Sequence, residues 1–209
     1  MLRFGSTGEY LLGDTGVAGG GGQSGVEYGT ALATGVDARG FKLVPKVAID
    51  TSGEWGLSKL EPCTRVQVKG DTLSVLVALG SCVTRETFTL PKAVNNPTGI
   101  VGVWIGGTTD VIKTQTFVFM ANGKYAMLDP LGDTLGNNCG GPGVEYGSYT
   151  DSTSTKQLKV VGVTRDTNGC AGFSDAGSLD TFSLTISADG RTGVLTAGTS
   201  NFPVLRVSN

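Results

Sequence analysis

The sequence predicts an all-β protein built from two tandem antiparallel barrels, and three observations support this fold class. Glycine supplies 34 of the 209 residues and proline only 7, against an ordinary glycine share of about 7%. This composition suits short strands that are joined by tight turns. Apolar residues show no sustained 3.6-residue period, which disfavours amphipathic helices. The third observation is that the chain contains the same sequence blocks twice.

The duplication is carried by three pairs of blocks. They are residues 4–10 with 119–125, residues 25–30 with 143–148, and residues 50–58 with 166–174. The second copy follows the first by 115, 118 and 116 residues in these pairs. Because this separation is nearly constant, the sequence predicts two domains, residues 1–94 and 95–209. Each domain is long enough to bury a modest core.

In the first repeat, alternating or β-rich runs predict strands between turn residues. These elements cover residues 9–12, 26–31, 41–49, 55–57, 64–68, 73–79 and 87–90. Lys69-Gly70-Asp71 is a typical turn, and residues 91–97 form the linker.

The second repeat follows the same course with one additional strand at its start. Its predicted strands cover residues 99–105, 114–120, 124–128, 144–150, 158–164, 179–187, 193–197 and 202–207. Asn122-Gly123 is a strong hairpin signal, and Asp166 opens a turn in which its side chain can bond the backbone.

The first repeat lacks a counterpart of the strand around Trp104. Trp104 precedes Phe119 by 15 residues, whereas only three residues precede Phe4. A barrel without one strand exposes two backbone edges and its apolar interior. Three explanations are open: the sequence starts inside a longer chain, the domain is an open sheet, or another subunit adds the strand.

The second repeat resembles the calycin group of lipocalin-like barrels. The resemblance rests on Gly102-Val103-Trp104, on Phe119 with Gly123 and Tyr125, and on Arg206-Val207. It implies that Arg206 of the last strand covers the Trp104 indole and closes one barrel end, a cation–π contact of about 1 kcal/mol. The first repeat departs from this pattern, with Lys92 nearest to the Arg206 position. The paired blocks also resemble tandem repeats of bacterial secreted and surface proteins.

The four cysteines divide evenly, with Cys63 and Cys82 in the first repeat and Cys139 and Cys170 in the second. This division predicts one disulfide per domain and an oxidising compartment. Each would contribute about 3 kcal/mol in the chain-entropy picture. No Cys-x-x-Cys spacing and no histidine occur, so we expect no zinc site and no cofactor.

Eight residues recur in the repeated strand and turn motif and form the candidate site. They are Glu27, Tyr28, Asp50, Trp55, Glu145, Tyr146, Asp166 and Phe173. Carboxylate pairs can do acid–base work, but strand alternation places Val144 and Tyr146 on one face and Glu145 on the other. We therefore expect Glu145 to be solvated or bonded to a turn, and we predict no catalytic residues. Trp55 and Phe173 are expected to plug matching barrel ends, with sugar stacking as the alternative.

Two weaker patterns are weighed as well. Residues 19–22 and 136–141 are glycine-rich but do not join a strand to a helix, so they are loops and not phosphate cradles. Asp129, Asp133, Asp166 and Asn168 offer oxygen ligands for calcium, but their spacing is not that of an EF-hand. We therefore predict no metal site.

The net charge of −2 gives no basic footprint for nucleic acid, and no apolar run is long enough to span a membrane. We expect a non-enzymatic, extracellular or cell-surface structural subunit that forms a homo-oligomer or homopolymer, such as a filament, through its incomplete first domain. The alternative is a secreted module whose barrels bind a small apolar ligand or a glycan. An enzyme ranks third.

Overall fold

The computed structural model describes residues 1–5, 7–16, 23–37, 40–54, 56–60, 62–79, 83–92, 94, 97–108, 114–132, 140–152, 157–175 and 181–207. This part of the chain forms β-strands and two short 3-10 helices, Leu57–Lys59 and Gly169–Ala171. The predicted all-β class is confirmed.

The first half of the chain is a seven-stranded antiparallel sheet in which every strand pairs with its neighbours in sequence. Its strands are β1 (Leu2–Phe4), β2 (Glu9–Asp14), β3 (Gly25–Asp37), β4 (Gly40–Asp50), β5 (Arg65–Lys69), β6 (Thr72–Leu79) and β7 (Val83–Pro91). The sheet is open, and β1 and β7 are its two edges.

The second half is a closed eight-stranded barrel. Its strands are β8 (Gly102–Gly106), β9 (Thr116–Phe119), β10 (Lys124–Asp129), β11 (Gly143–Ser152), β12 (Gln157–Asp166), β13 (Thr181–Ile186), β14 (Thr192–Ala197) and β15 (Ser200–Arg206). Closure comes from β8, which pairs with β9 on one side and with β15 on the other.

The register of the strands shows which element the first sheet lacks. Phe4 pairs with Tyr10 as Phe119 pairs with Tyr125, so β1 corresponds to β9. The next strands match in order, and β7 corresponds to β15. Among the strands that the structure describes, only β8 has no counterpart. The prediction of a complete second barrel and a first one without its opening strand is therefore confirmed.

Local turn chemistry follows the sequence. The Asn122 side chain accepts a hydrogen bond from Lys124 N–H at 3.1 Å, and Gly123 adopts a φ of 75°, as a tight hairpin requires. Asp166 accepts a hydrogen bond from Asn168 N–H at 3.1 Å. The expected strand at residues 55–57 is wrong, because Leu57 begins a 3-10 helix.

Aromatic side chains fill the barrel interior. Phe173 follows the second 3-10 helix, and its ring centroid lies 5.0–5.8 Å from those of four other rings, which belong to Phe117, Phe119, Tyr125 and Phe182. Its residual exposure is 4%. Phe173 is therefore part of the barrel core, and its role as a plug at one barrel end stays a prediction.

A second apolar cluster joins the sheet to the outside of the barrel. It contains Leu11, Val26 and Tyr28 of the sheet with Leu128 and Val144 of the barrel. The two repeats use matching positions here, since Val26 corresponds to Val144. A Cβ at Gly13, which corresponds to Leu128, would lie 2.5 Å from the Leu128 side chain. The two halves thus pack back to back, and the absence of a side chain at residue 13 makes room for Leu128.

The predictions about disulfides and membrane spans can be compared only with the described residues. No described cysteine is a free thiol, but Cys82 and Cys139 lie outside the described residues, so the pairings Cys63–Cys82 and Cys139–Cys170 stay predictions. Within the described part of the chain, no helix has the length and apolar character needed to cross a bilayer.

Candidate functional site

Glu27 and Glu145, which recur in the repeated motif, are fully buried. Of the two alternatives expected for Glu145, exposure to solvent is therefore wrong, whereas a bond to a turn agrees with the structure, since Ser174 in the turn at 173–175 donates to it. Both faces of β11 are covered, because Val144 packs against the first sheet while Glu145 points into the barrel towards Tyr125. Glu145 therefore has no face that is open to solvent. The alternation of β11 correctly places Val144 and Glu145 on opposite faces. The apolar residue, however, faces the first sheet, and the charged residue faces the barrel interior.

Each buried carboxyl group accepts the same hydrogen bonds in both repeats. Tyr10 Oη–H donates to Glu27 Oε1 at 2.7 Å, and Tyr125 Oη–H donates to Glu145 Oε1 at 2.5 Å. Ser58 donates its N–H and its hydroxyl to Glu27. Ser174 does the same to Glu145 Oε2, at 3.0 and 2.6 Å. These bonds satisfy the buried oxygens, and burial next to the carboxyl groups raises the pKa of Tyr10 and Tyr125 well above the ordinary value.

A glycine is required beside each carboxyl group. A Cβ at Gly172 would lie 1.9 Å from Glu145 Oε2, and one at Gly56 would lie 2.0 Å from Glu27 Oε2. The repeated Gly-x-Ser pattern thus places the serine donors against the carboxyl group and leaves room for it. The register also corrects one pairing of the sequence analysis: Leu57, and not Trp55, corresponds to Phe173. Trp55 itself lies outside the described residues.

The two repeats differ in charge beside this network. Asp50 forms an ion pair with Lys59, with 3.0 Å between Oδ2 and Nζ. In the second repeat the matching positions hold Asp166 and Asp175, and their carboxyl oxygens lie within 4.8 Å of a Glu145 oxygen. These three carboxyl groups could hold a cation at the place that the Lys59 ammonium takes in the first repeat. Asp175 also accepts a hydrogen bond from Gly172 N–H at 3.2 Å.

The other suggested calcium ligands do not join this group. Asp129 is buried and accepts hydrogen bonds from Gly132 N–H at 2.8 Å and from the Gln115 amide at 3.0 Å. Its oxygens are therefore engaged within the protein. Asp133 lies outside the described residues. Of the remaining motif tyrosines, Tyr28 lies in the cluster between the two halves and Tyr146 lines a cavity next to it.

Arg206 lies over the indole of Trp104, with its Cζ 4.3 Å from the ring centroid. The two residues are paired across β15 and β8. The Trp104 ring N–H donates to Ile100 O at 2.9 Å, and the Arg206 guanidinium donates to Gly99 O. This end of the barrel is therefore covered by a cation stacked on an indole.

Side chains on the two edge strands of the first sheet are less buried than their counterparts in the barrel. Phe4 is 40% exposed, whereas its barrel counterpart Phe119 is 2% exposed. Leu90 is 41% exposed, whereas Val204 at the matching position is 3% exposed. The side chains that line the place of the missing strand are therefore open to water.

A cavity of about 610 Å³ occupies this gap. Residues of both sheet edges line it, including Leu2 and Phe4 on β1 and Leu90 on β7. The outer wall of the barrel supplies Val103 and Val207 on the other side. The cavity thus lies between two strand edges and is mainly apolar.

The backbone of β1 directs hydrogen-bonding groups into this gap. Gly13 N–H donates to Met1 O at 2.7 Å, and Gly5 N–H donates to Glu9 O at 2.8 Å. Because successive residues of an antiparallel strand turn these groups to opposite sides, Leu2 and Phe4 direct theirs away from β2. No described strand pairs with them on that side.

Sequence reasoning located the missing strand but missed Tyr10, Tyr125, Ser58 and Ser174 as partners of the glutamates. The signal was present, since tyrosine and serine stand at matching positions in both copies.

Comparison of the chain with models of protein families, with curated proteins and with solved structures finds no match.

Proposed function

We propose that this protein is an extracellular or cell-surface structural subunit that assembles by strand complementation of its first sheet. The observation that carries the proposal is the exposure of Phe4 and Leu90 at a gap whose barrel counterpart is filled by β8. Edge strands with unpaired backbone groups and uncovered apolar residues are templates for strand addition. A contact that joins one surface to a different one generates rings or filaments.

Two further observations support the compartment and the relationship to calycin-like repeats of bacterial secreted proteins. No described cysteine is free, which agrees with disulfides and an oxidising environment. The stacking of Arg206 on Trp104 is the contact that the calycin resemblance implies. Peptide mapping without reductant is expected to find Cys63 joined to Cys82 and Cys139 joined to Cys170; free thiols would argue against export.

Assembly is tested by sedimentation velocity and electron microscopy over a range of protein concentrations. We expect species larger than the 21.4 kDa chain and their loss in the variant Phe4→Asp, because a charge at the gap opposes an apolar strand. Phe202→Asp is the matched control, since Phe202 is 48% exposed on the closed barrel. A monomer at every concentration, or equal assembly of Phe4→Asp and Phe202→Asp, would contradict the proposal.

A second candidate is a binding module for a small apolar ligand, and the cavity favours it. Its volume of about 610 Å³ is within the usual range of ligand sites. Because aromatic side chains fill the barrel interior, the ligand would lie between the sheet and the barrel and not inside the barrel. Saturable binding of a fluorescent apolar probe, weakened by Leu90→Asp and not by Phe202→Asp, is the expected result for this candidate.

A further inference from the structure

We infer that the gap in the first sheet is built for one kind of occupant, an extended segment of another polypeptide that carries the residue pattern of β8. This inference rests on the proposed function and adds the chemistry, direction and register of the inserted strand. The second repeat supplies the template, because its β8 lies between the strands that correspond to β1 and β7.

The template fixes the register along β1. In the barrel, Gly102 pairs with Phe119 and Trp104 pairs with Phe117, positions that correspond to Phe4 and Leu2. The inserted strand therefore runs antiparallel to β1, with a small residue opposite Phe4 and an aromatic residue opposite Leu2. Its main chain bonds to Leu2 and Phe4, whose polar backbone groups face the gap.

Lys92 stands where the barrel has Arg206. Lys92 N–H donates to Asp71 O at 2.8 Å as Arg206 N–H donates to Arg191 O at 2.7 Å, and both residues follow the strand partner of an equivalent threonine, Thr72 or Thr192. The Lys92 side chain lines the cavity. Its Nζ lies 3.6 Å from Asp71 Oδ1. An ammonium group held at this place can stack on the aromatic residue of the inserted strand, which gives the occupant its charge complementarity.

Pro91 limits pairing on the other edge. In the barrel, Val207 N–H donates to Val103 O of β8 at 2.8 Å, so the N–H of Leu205, two residues earlier, also faces β8. Pro91 occupies the Leu205 position and has no N–H. Proline on an edge opposes unselective strand addition. The inserted strand thus takes its main-chain bonds chiefly from β1 and contacts β7 through side chains, which makes the aromatic residue decisive for recognition.

The test uses the whole chain and a fluorescein-labelled peptide with the sequence of residues 100–107, the internal template. We expect saturable binding by fluorescence anisotropy, with the amide protons of Leu2 and Phe4 becoming protected from exchange in the complex. Replacing the peptide tryptophan with alanine, or Lys92→Ala in the protein, is expected to weaken binding about 5-fold or more. A scrambled peptide of equal composition is the control.

Equal binding of the template and scrambled peptides, displaced by an apolar dye, would overturn the inference and favour a small-ligand site. Binding without protection of Leu2 and Phe4 would also overturn it. The outcome is separable from that of the proposed function. A monomeric chain that binds the template peptide in register removes self-assembly and keeps the inference. A self-assembling chain whose assembly the peptide does not inhibit removes the inference and keeps self-assembly.

Discussion

Gly172 lies so close to Glu145 that a Cβ at residue 172 would be 1.9 Å from the Oε2 atom. Gly172 has a φ of −95°, so the glycine is required by this close approach and not by a left-handed backbone. The carboxyl group and the glycine therefore determine each other. The same close approach recurs between Gly56 and Glu27, where the φ of 154° at residue 56 adds a backbone reason for glycine.

Gly172→Ala is expected to lower the free energy of unfolding by about 1–3 kcal/mol, because the added methyl group must displace a buried, fully bonded carboxyl group. Urea denaturation followed by circular dichroism measures the change. Gly162→Ala is the matched control, because a Cβ at residue 162 meets nothing within 4 Å. This substitution should change the free energy of unfolding by about 0.5 kcal/mol or less. Equal effects of the two substitutions would show that the contact is unimportant.

Glu145→Gln is expected to cost about 1–3 kcal/mol of stability, because the amide replaces one acceptor oxygen with a donor and leaves Tyr125 or Ser174 without its acceptor. Glu54→Gln, at an exposed position of the first repeat, tests whether loss of charge alone matters. Thermal unfolding of both variants provides the comparison. An unchanged midpoint in Glu145→Gln would mean that the network does not stabilise the barrel.

Alkaline pH should destabilise the fold through Tyr10 and Tyr125. Their pKa values are raised in the folded protein by burial and by the neighbouring glutamates, so the stabilisation is fully present below the unfolded tyrosine pKa of about 10. It decreases as the pH rises above that value, because the unfolded state then releases protons that the folded state retains.

Tyrosinate absorbance measured alongside circular dichroism tests this prediction. Two of the five tyrosines should ionise only when the protein unfolds. The double variant Tyr10→Phe with Tyr125→Phe should lose less stability between neutral and alkaline pH. Complete and reversible ionisation of all tyrosines in the folded state would refute the assignment.

Acid should weaken the first repeat through Asp50. Burial acts to raise the pKa of this carboxyl group, but the hydrogen bonds from Lys59 and Ser52 outweigh burial and hold the pKa below its ordinary value. A depressed folded pKa contributes stability that is present above the unfolded pKa of about 3.9 and is lost as the pH falls through the folded pKa. Lys59→Met should therefore flatten the acid side of the stability profile. Asp175→Asn, which alters the matching position in the second repeat, should not flatten it.

The sequence by itself determined the duplication, the all-β class and the lack of a counterpart to β8 within the first repeat as given, because strand period and repeat spacing can both be read along the linear sequence. The turns at Asn122-Gly123 and Asp166 are local in the same sense. The strand β1 escaped sequence prediction, since three residues are too few to show a period.

Only the tertiary structure decided which side of each strand is the interior. The contact between the two halves buries the apolar residues Leu11, Val26 and Val144. Their hydrophobicity alone does not distinguish such an interface from a barrel core. Glu27 and Glu145 are buried because tyrosine, serine and glycine, distant in sequence, meet them after folding. The gap likewise forms only after folding, which brings Phe4 of β1 and Leu90 of β7 to the same cavity. Burial depends on contacts between distant segments, and one strand's alternation cannot specify those contacts.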